Sequence, residues 1–140
     1  MVVSRLKELR EATIDMENVH RRLRIVDRLI NVMPHGVIIY DLVDNNDPHS
    51  FVIAIANPAC SVLAGFDLSD AIGKKLIDVF PGVLESKFCE QLFQVLETGQ
   101  SHTYRDYMYK EKEDKVFHFT AFHLGNGSVG VVFSLASEGE

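Results

Sequence analysis

The apolar positions of the first 33 residues fall on one line. Stepping alternately three and four residues from Val2 passes through Arg5, Leu9, Ala12, Met16, Val19, Leu23, Val26, Ile30 and Met33, and only Arg5 breaks the apolar run. A spacing that averages 3.5 residues holds these side chains on one stripe of a helix, the pattern of a coiled-coil seam. The helix should stop where Pro34 withdraws a backbone donor and Gly36 frees the chain to turn. Such a seam docks on its own domain or pairs with a second chain. The two arrangements are compatible, one half of the helix serving each.

After Gly36 the period changes from helical to extended. Val37-Ile38-Ile39-Tyr40 is a β-branched and aromatic run, and Phe51 to Ala56 is a second one. The turn-rich Asp44-Asn45-Asn46-Asp47-Pro48 between them predicts a hairpin. From Asn57 to Phe80 the pattern is short and broken. Asn57-Pro58 suits a helix start, Gly65 a stop, and Asp67 or Ser69 a second cap. A longer helix is predicted over 85–98, with Leu84, Phe88, Leu92 and Val95 or Leu96 on one face and Gly99 as its end. Three strands follow, Thr103 to Tyr109, Val116 to Leu124 and Ser128 to Leu135, the last two joined at Gly125-Asn126-Gly127. Strands at both ends with helices grouped between them predict an α+β domain, an antiparallel sheet with its helices on one face.

Composition narrows the partners. The 140 residues are 46% hydrophobic, enough for one domain with a core, and carry a net charge of −6. Residues 1–33 hold seven basic against five acidic side chains, a balance of +2, and the remainder is therefore at −8. An acidic globular part lacks the basic footprint of phosphate contacts, so no nucleic-acid partner is expected. No run approaches the roughly 18 apolar residues of a membrane span, and no apolar signal-peptide core is present, so no membrane contact is expected of this segment. Two cysteines, Cys60 and Cys89, make neither a disulfide framework nor a zinc site, which points to a reducing cytoplasm. Six scattered histidines have no metal-ligand spacing, so no metal is expected. There is also no glycine-rich phosphate loop, no nucleophile elbow and no catalytic carboxylate or Cys/His set, which argues against an enzyme.

Four pieces, in this order and spacing, resemble the PAS family of sensory-box domains: MPHGVIIYD at 33–41, ANPACSVLAGF at 56–66, DAIGKKLIDVFPG at 70–82 and the ETG stop at 97–99 ahead of three strands. The resemblance spans Ile30 to Ala136. It implies a five-stranded antiparallel sheet in the order 2-1-5-4-3, with short helices closing a pocket over one face. The organisation expected is a signalling and dimerisation helix at 1–33, a sensory domain at 34–136 and a tail at 137–140. Many relatives end in an Asp-Ile/Val-Thr signature leading to an output domain. This chain ends FSLASEGE, and no output domain is expected in it.

The resemblance does not name a cofactor, since PAS domains bind haem, flavins, small metabolites or nothing. The light-sensing flavin subclass places a reactive cysteine three residues after the glycine matched by Gly73, and here that position is Leu76. Haem-binding relatives commonly place an axial histidine on the longer helix, and 85–98 contains none.

Alternation divides the strands into faces. Resemblance to flavin-binding PAS domains assigns the smaller, partly polar set to a ligand pocket: Ile38 and Tyr40, Ala54, then His118, Thr120 and Phe122, and Ser134. It adds Cys60, Leu76, Phe88 and Leu92 from the helices. His118 is the side chain to contact an acidic ligand or respond to pH, or else a satisfied core histidine. The greasy set, with Ile53, Phe119, Val131 and Phe133, is left for the outer face. Burying each such side chain gains about 1.5–3 kcal/mol, so something must cover it. Val19, Leu23, Val26, Ile30 and Met33 of the helix are the cover expected, in a homodimer.

The function implied is a cytoplasmic signal-transduction module that binds a small ligand and relays it through a dimeric helix, as in two-component or cyclic-dinucleotide signalling. A haem- or flavin-bearing redox or gas sensor and a ligand-free interaction domain are the alternatives.

Overall fold

The computed structural model of the protein describes residues 2–108 and 116–135. Tyr109, Ala136 and the 137–140 tail lie outside the described residues. The chain divides into two compact units between Val32 and Met33.

The first unit is one helix, α1 (Val2–Val32). It stops two residues before Pro34, as the missing donor requires. Leu9, Met16, Val19, Leu23 and Val26 of the seam are exposed.

The second unit opens with the hairpin β1 (Gly36–Leu42) and β2 (Phe51–Ala56). Its loop is held by side chains that mimic backbone turns. Asn46 N–H donates to Asp44 Oδ1 and His49 N–H to Asp47 Oδ1, each at 2.9 Å, while the Ser50 hydroxyl donates to the Asp44 and Asp47 carbonyls. His49 Nε2 also lies 3.3 Å from Glu90 Oε1, a contact between this loop and the longer helix.

Short helices follow, α2 (Pro58–Ala64) and α3 (Leu76–Val79), with 3-10 turns at Ser69–Ala71 and Pro81–Glu85. Asn57 caps α2, and Gly65 ends it in the left-handed conformation at φ 84°. Asp67 Oδ1 accepts Ser69 N–H at 2.9 Å to open the next turn. The longer helix, α4 (Phe88–Thr98), begins three residues later than its apolar pattern predicts. Leu84 belongs to the preceding 3-10 turn and is exposed, so it is not part of the α4 face. Phe88, Cys89, Leu92 and Val95 are.

The last strands are β3 (His102–Met108), β4 (Val116–Gly125) and β5 (Ser128–Leu135). The β4–β5 turn puts Asn126 at φ 54° and Gly127 at φ 79°, the paired positive values of a turn that matches strand twist. All pairings are antiparallel in the order β2-β1-β5-β4-β3, the expected sheet. β2 is an edge strand, and the segment at Gly73–Lys75 covers its outer side: Ile53 N–H donates to Lys74 O and Gly73 N–H to Ile53 O.

One continuous core lies between the sheet and α2, α3 and α4. Ile38, Tyr40, Phe51, Ile53, Phe119, Val129 and Val131 enter it from the sheet, and Cys60, Leu76, Phe88, Leu92 and Val95 from the helices.

Candidate functional site

The side of the sheet that each residue occupies is set by register. Opposed residues of paired strands point to the same side, so Ile38 and Tyr40 of β1 carry their partners with them. On β5 these partners are Val131 and Val129, and Gly36 faces Phe133. On β4, Ala121 pairs with Val131 and Phe119 with Phe133. The helix-covered side is therefore the greasy side. His118, Thr120 and Phe122, with Ser134 across from His118, occupy the other.

This exchanges the faces expected on β4 and β5. Phe119, Val131 and Phe133, expected outside, enclose the interior, while His118, Thr120, Phe122 and Ser134, expected in the pocket, lie on the outer side. Thr120 Oγ1 sits 2.9 Å from Thr103 Oγ1 there, at an exposed position, and Phe122 is exposed. The physical reason is the cost of leaving aromatic and β-branched surface in water when helices stand ready to cover it. Small and polar side chains tolerate the wetter side.

In β2 a bulge defeats simple alternation. Ile39 pairs with Ile55, but Tyr40 pairs with Ile53, so Ala54 is an extra residue with no partner. The bulge turns Ile53 and Phe51 inward with Tyr40, both fully buried, and leaves Ile55 exposed on the side of Ile39. Ala54 is half-buried at the bulge and does not line the interior space, and Ile53 is core rather than outer surface.

Between sheet and helices lies a pocket of about 90 Å³, partly open to solvent. Ile38, Tyr40, Phe117, Phe119, Val131 and Phe133 form its sheet wall; Ala64 of α2, Leu76 of α3, Phe80, Val83 and Phe88 form the other. Of the pocket residues expected from sequence, Ile38, Tyr40, Leu76 and Phe88 meet at this void. Cys60 and Leu92 are fully buried in the surrounding core but do not line it. Ala64, Phe80 and Val83 were not anticipated. Phe80 ends the broken stretch and Val83 sits in the 3-10 turn after it, where no periodicity announces a face, and Ala64 is small enough to leave the space open.

The rings around the void are locked edge to face. Phe88 meets Phe119 with centroids 5.1 Å apart at 72°, Phe117 meets Phe133 at 5.8 Å and 70°, and Tyr40 meets Phe88 at 6.2 Å and 80°. Gly36 is what admits Phe133, since a Cβ there would collide with the Phe133 ring. Tyr104 stacks on Phe119 at 4.7 Å, and its partial burial raises the phenol pKa.

Asn57 is the main polar knot beside this core, and it is buried. Its Oδ1 accepts Val37 N–H at 2.9 Å, Cys60 N–H at 3.3 Å and the Cys60 thiol at 3.1 Å, and its Nδ2 donates to His35 O at 3.0 Å. One side chain thus joins the first turn of α2 to the start of β1. Burial pushes the Cys60 thiol from its ordinary value of 9.0 up to about 11, against the pull of neighbouring hydrogen bonds. Burial does the same to Cys89, assisted by the charges of Glu90 and Asp47. Both thiols are therefore protonated packing groups at neutral pH.

Among the described residues no group of three or more His, Cys, Asp or Glu side chains is placed to hold a metal ion. No helix among them is long and apolar enough to cross a membrane.

The comparisons with known proteins agree with this architecture. The family model described as PAS fold matches residues 43–137. No curated protein matches the sequence. Among solved structures, the chain is similar to a domain of the sensory box sensor histidine kinase/response regulator from Geobacter sulfurreducens, with TM-score 0.61 and 14% identity over 84% of this chain and 96% of that one. It is also similar to the PAS domain of nitrogen regulation protein NR(II) from Vibrio parahaemolyticus, with TM-score 0.55 and 18% identity over 78% and 95% of the two chains. A third likeness is to the Rhodobacter sphaeroides LOV protein, with TM-score 0.61 and 10% identity over 86% and 69%. At these identities the structural likeness speaks for the fold, and the family model speaks for membership. The chain belongs to the PAS fold family.

Proposed function

We propose that this chain is a sensor module in which a small molecule, held in the cavity between sheet and helices, changes the packing of α1 within a homodimer. The cavity carries the reading. Protein interiors are close-packed, and a void forfeits contacts that its lining side chains would otherwise make. A space kept open by Ala64 and walled from both layers is suited to an occupant.

Residues 1–33 serve as the signalling helix and 34–136 as the sensory domain. Ala64 on the cavity wall and Asn57 at the cap belong to the same short helix, α2. Asn57 in turn holds His35 and Val37, which follow α1 in the chain. An occupant that shifts α2 thereby acts on the backbone between α1 and β1. It biases the dimer only by the difference in its affinity for the two packings. The exposed 3.5-residue seam of α1 supports pairing with a second copy, because a row of half-exposed Leu, Val and Met gains by burial against its like. The role is relay rather than turnover.

Native mass spectrometry of the full chain after exposure to a metabolite extract tests both parts. The expected result is a dimer retaining a small added mass, with Leu23→Glu giving a monomer that still retains it. A dimer indifferent to Leu23→Glu would sink the relay helix, and a chain that retains nothing would leave a ligand-free interaction domain. A retained haem or flavin mass with visible absorption would instead identify a cofactor-bearing sensor.

A further inference from the structure

The cavity wall limits its occupant by charge, by size and by shape. Among the described residues, Tyr40 supplies the only polar side-chain atom on the wall, and no charged side chain lines it. An ion brought into such a space gives up the part of its hydration shell that faces the apolar wall and meets there neither a counter-charge nor a ring of donors, so the charged form is disfavoured. The same argument acts against molecules rich in hydroxyl or phosphate groups, whose hydrogen bonds to water would go unreplaced.

Size removes the large apolar candidates as well. One water needs roughly 10–15 Å³ of such space. The void of about 90 Å³ therefore holds on the order of six non-hydrogen atoms or somewhat more, the size of a single ring. A fused flavin ring system or a porphyrin exceeds this space and would have to extend out of its open side or displace the wall. The shape of the wall points the same way. Phe88 against Phe119 and Phe117 against Phe133 present ring edges and faces at steep angles, the arrangement that an aromatic guest extends by edge-to-face contact.

Resting on the reading of this cavity as the sensor site, we infer that its ligand class is small uncharged single-ring compounds, aromatic or of comparable apolar character, and not ionised metabolites, flavins or haem.

Benzene, xenon and benzoate are the probes that test it, titrated into the full chain with ¹³C-labelled methyl groups of Ile38, Leu76 and Val131 as reporters. Benzene should shift these three methyls at saturable concentrations and raise the thermal midpoint. Benzoate should bind at least about tenfold more weakly at the same methyls, because its charge must be buried unpaired. Ala64→Leu, which fills the space from α2, should abolish the benzene shifts while leaving a dispersed amide spectrum. If that variant does not fold, competition in the unchanged chain decides the matter: xenon should move the same methyls, and benzene should displace it. Benzoate equalling or exceeding benzene at these methyls would overturn the ligand class while leaving the sensor site standing. Xenon binding without benzene binding would overturn the single-ring size. If no probe reaches the methyls, including xenon, the space is filled or closed, and both the ligand class and the sensor-site reading fall.

Discussion

Helices α1 and α4 carry the same kind of message in sequence and meet opposite ends in the fold. Each has an apolar stripe on one face. In α4 the stripe is satisfied within the chain: Leu92 is 0% exposed and Phe88 7%, facing the sheet through the core. In α1 the stripe has the same residue types, yet Leu9 is 62% exposed and Leu23 61%. The contrast teaches that an apolar stripe states a need for a partner without saying where the partner is. Period gives a hint, since α1 keeps the 3.5-residue spacing over eight steps, which is how helices pair with helices, while α4 is only three turns long.

The strongest way to break this comparison is to truncate both stripes. Leu92→Ala should cost about 2–5 kcal/mol in urea denaturation, as a fully buried leucine leaving a cavity. Leu23→Ala, measured at concentrations where the chain is monomeric, should stay within about 0.5 kcal/mol, as surface substitutions do. Equal costs would mean that α1 is as fully packed within one chain as α4 is. Next in size is Asn57→Ala, which strands the buried Val37 N–H and removes the link from α2 to the His35 carbonyl, while the Cys60 N–H keeps the Asn57 carbonyl. A loss of about 1–3 kcal/mol is expected by the same denaturation assay, and a neutral result would remove Asn57 from the account of α2 and β1.

The pairing half of the comparison is sharpened by Leu23→Ala with Val26→Ala. In sedimentation equilibrium the dimer should weaken by about tenfold or more, equivalent to at least about 1.4 kcal/mol. An unchanged dimer would place the interface elsewhere. The thiols probe the packed core alone, Cys89 from α4 and Cys60 from α2. Since Cys60 and Cys89 have folded-state values near 11, above the ordinary 9.0, the folded chain holds protons that the unfolded chain has released between these values. Stability from this source is present below pH 9 and is lost as pH rises from 9 through about 11. Cys60→Ala with Cys89→Ala should flatten that part of the stability–pH curve, and a curve that keeps its slope would assign it to other groups. The smallest effect is expected at His118. On the outer side of the sheet, His118→Ala should change the affinity of a cavity ligand by no more than about twofold in a calorimetric titration. A large loss would return His118 to the pocket.

The strand order shows how much a linear pattern can carry. The Gly36 and Gly125-Asn126-Gly127 breaks, the alternating runs and the turn-rich 44–48 loop were enough to anticipate five strands and their sheet once the family resemblance was seen. The long α1, with its stop before Pro34, was also legible, because helix period and proline chemistry are local. Ile38, Tyr40, Leu76 and Phe88 were placed at the cavity from sequence and meet there. Val131, Phe133 and Phe119 were assigned to the wrong side, since alternation separates two sets of residues without saying which set faces the helices.

What the sequence determined by itself was therefore local: which elements form and in what order, which residues of β4 and of β5 share a face, and that two apolar stripes need cover. The tertiary structure alone decided which face became the interior. Register between strands is a non-local choice, made when Ile38 pairs with Val131 and the bulge at Ala54 turns Ile53 beneath Tyr40. A shift of one residue exchanges the two sides of a strand, and only the burial gained against α2, α3 and α4 selects between them.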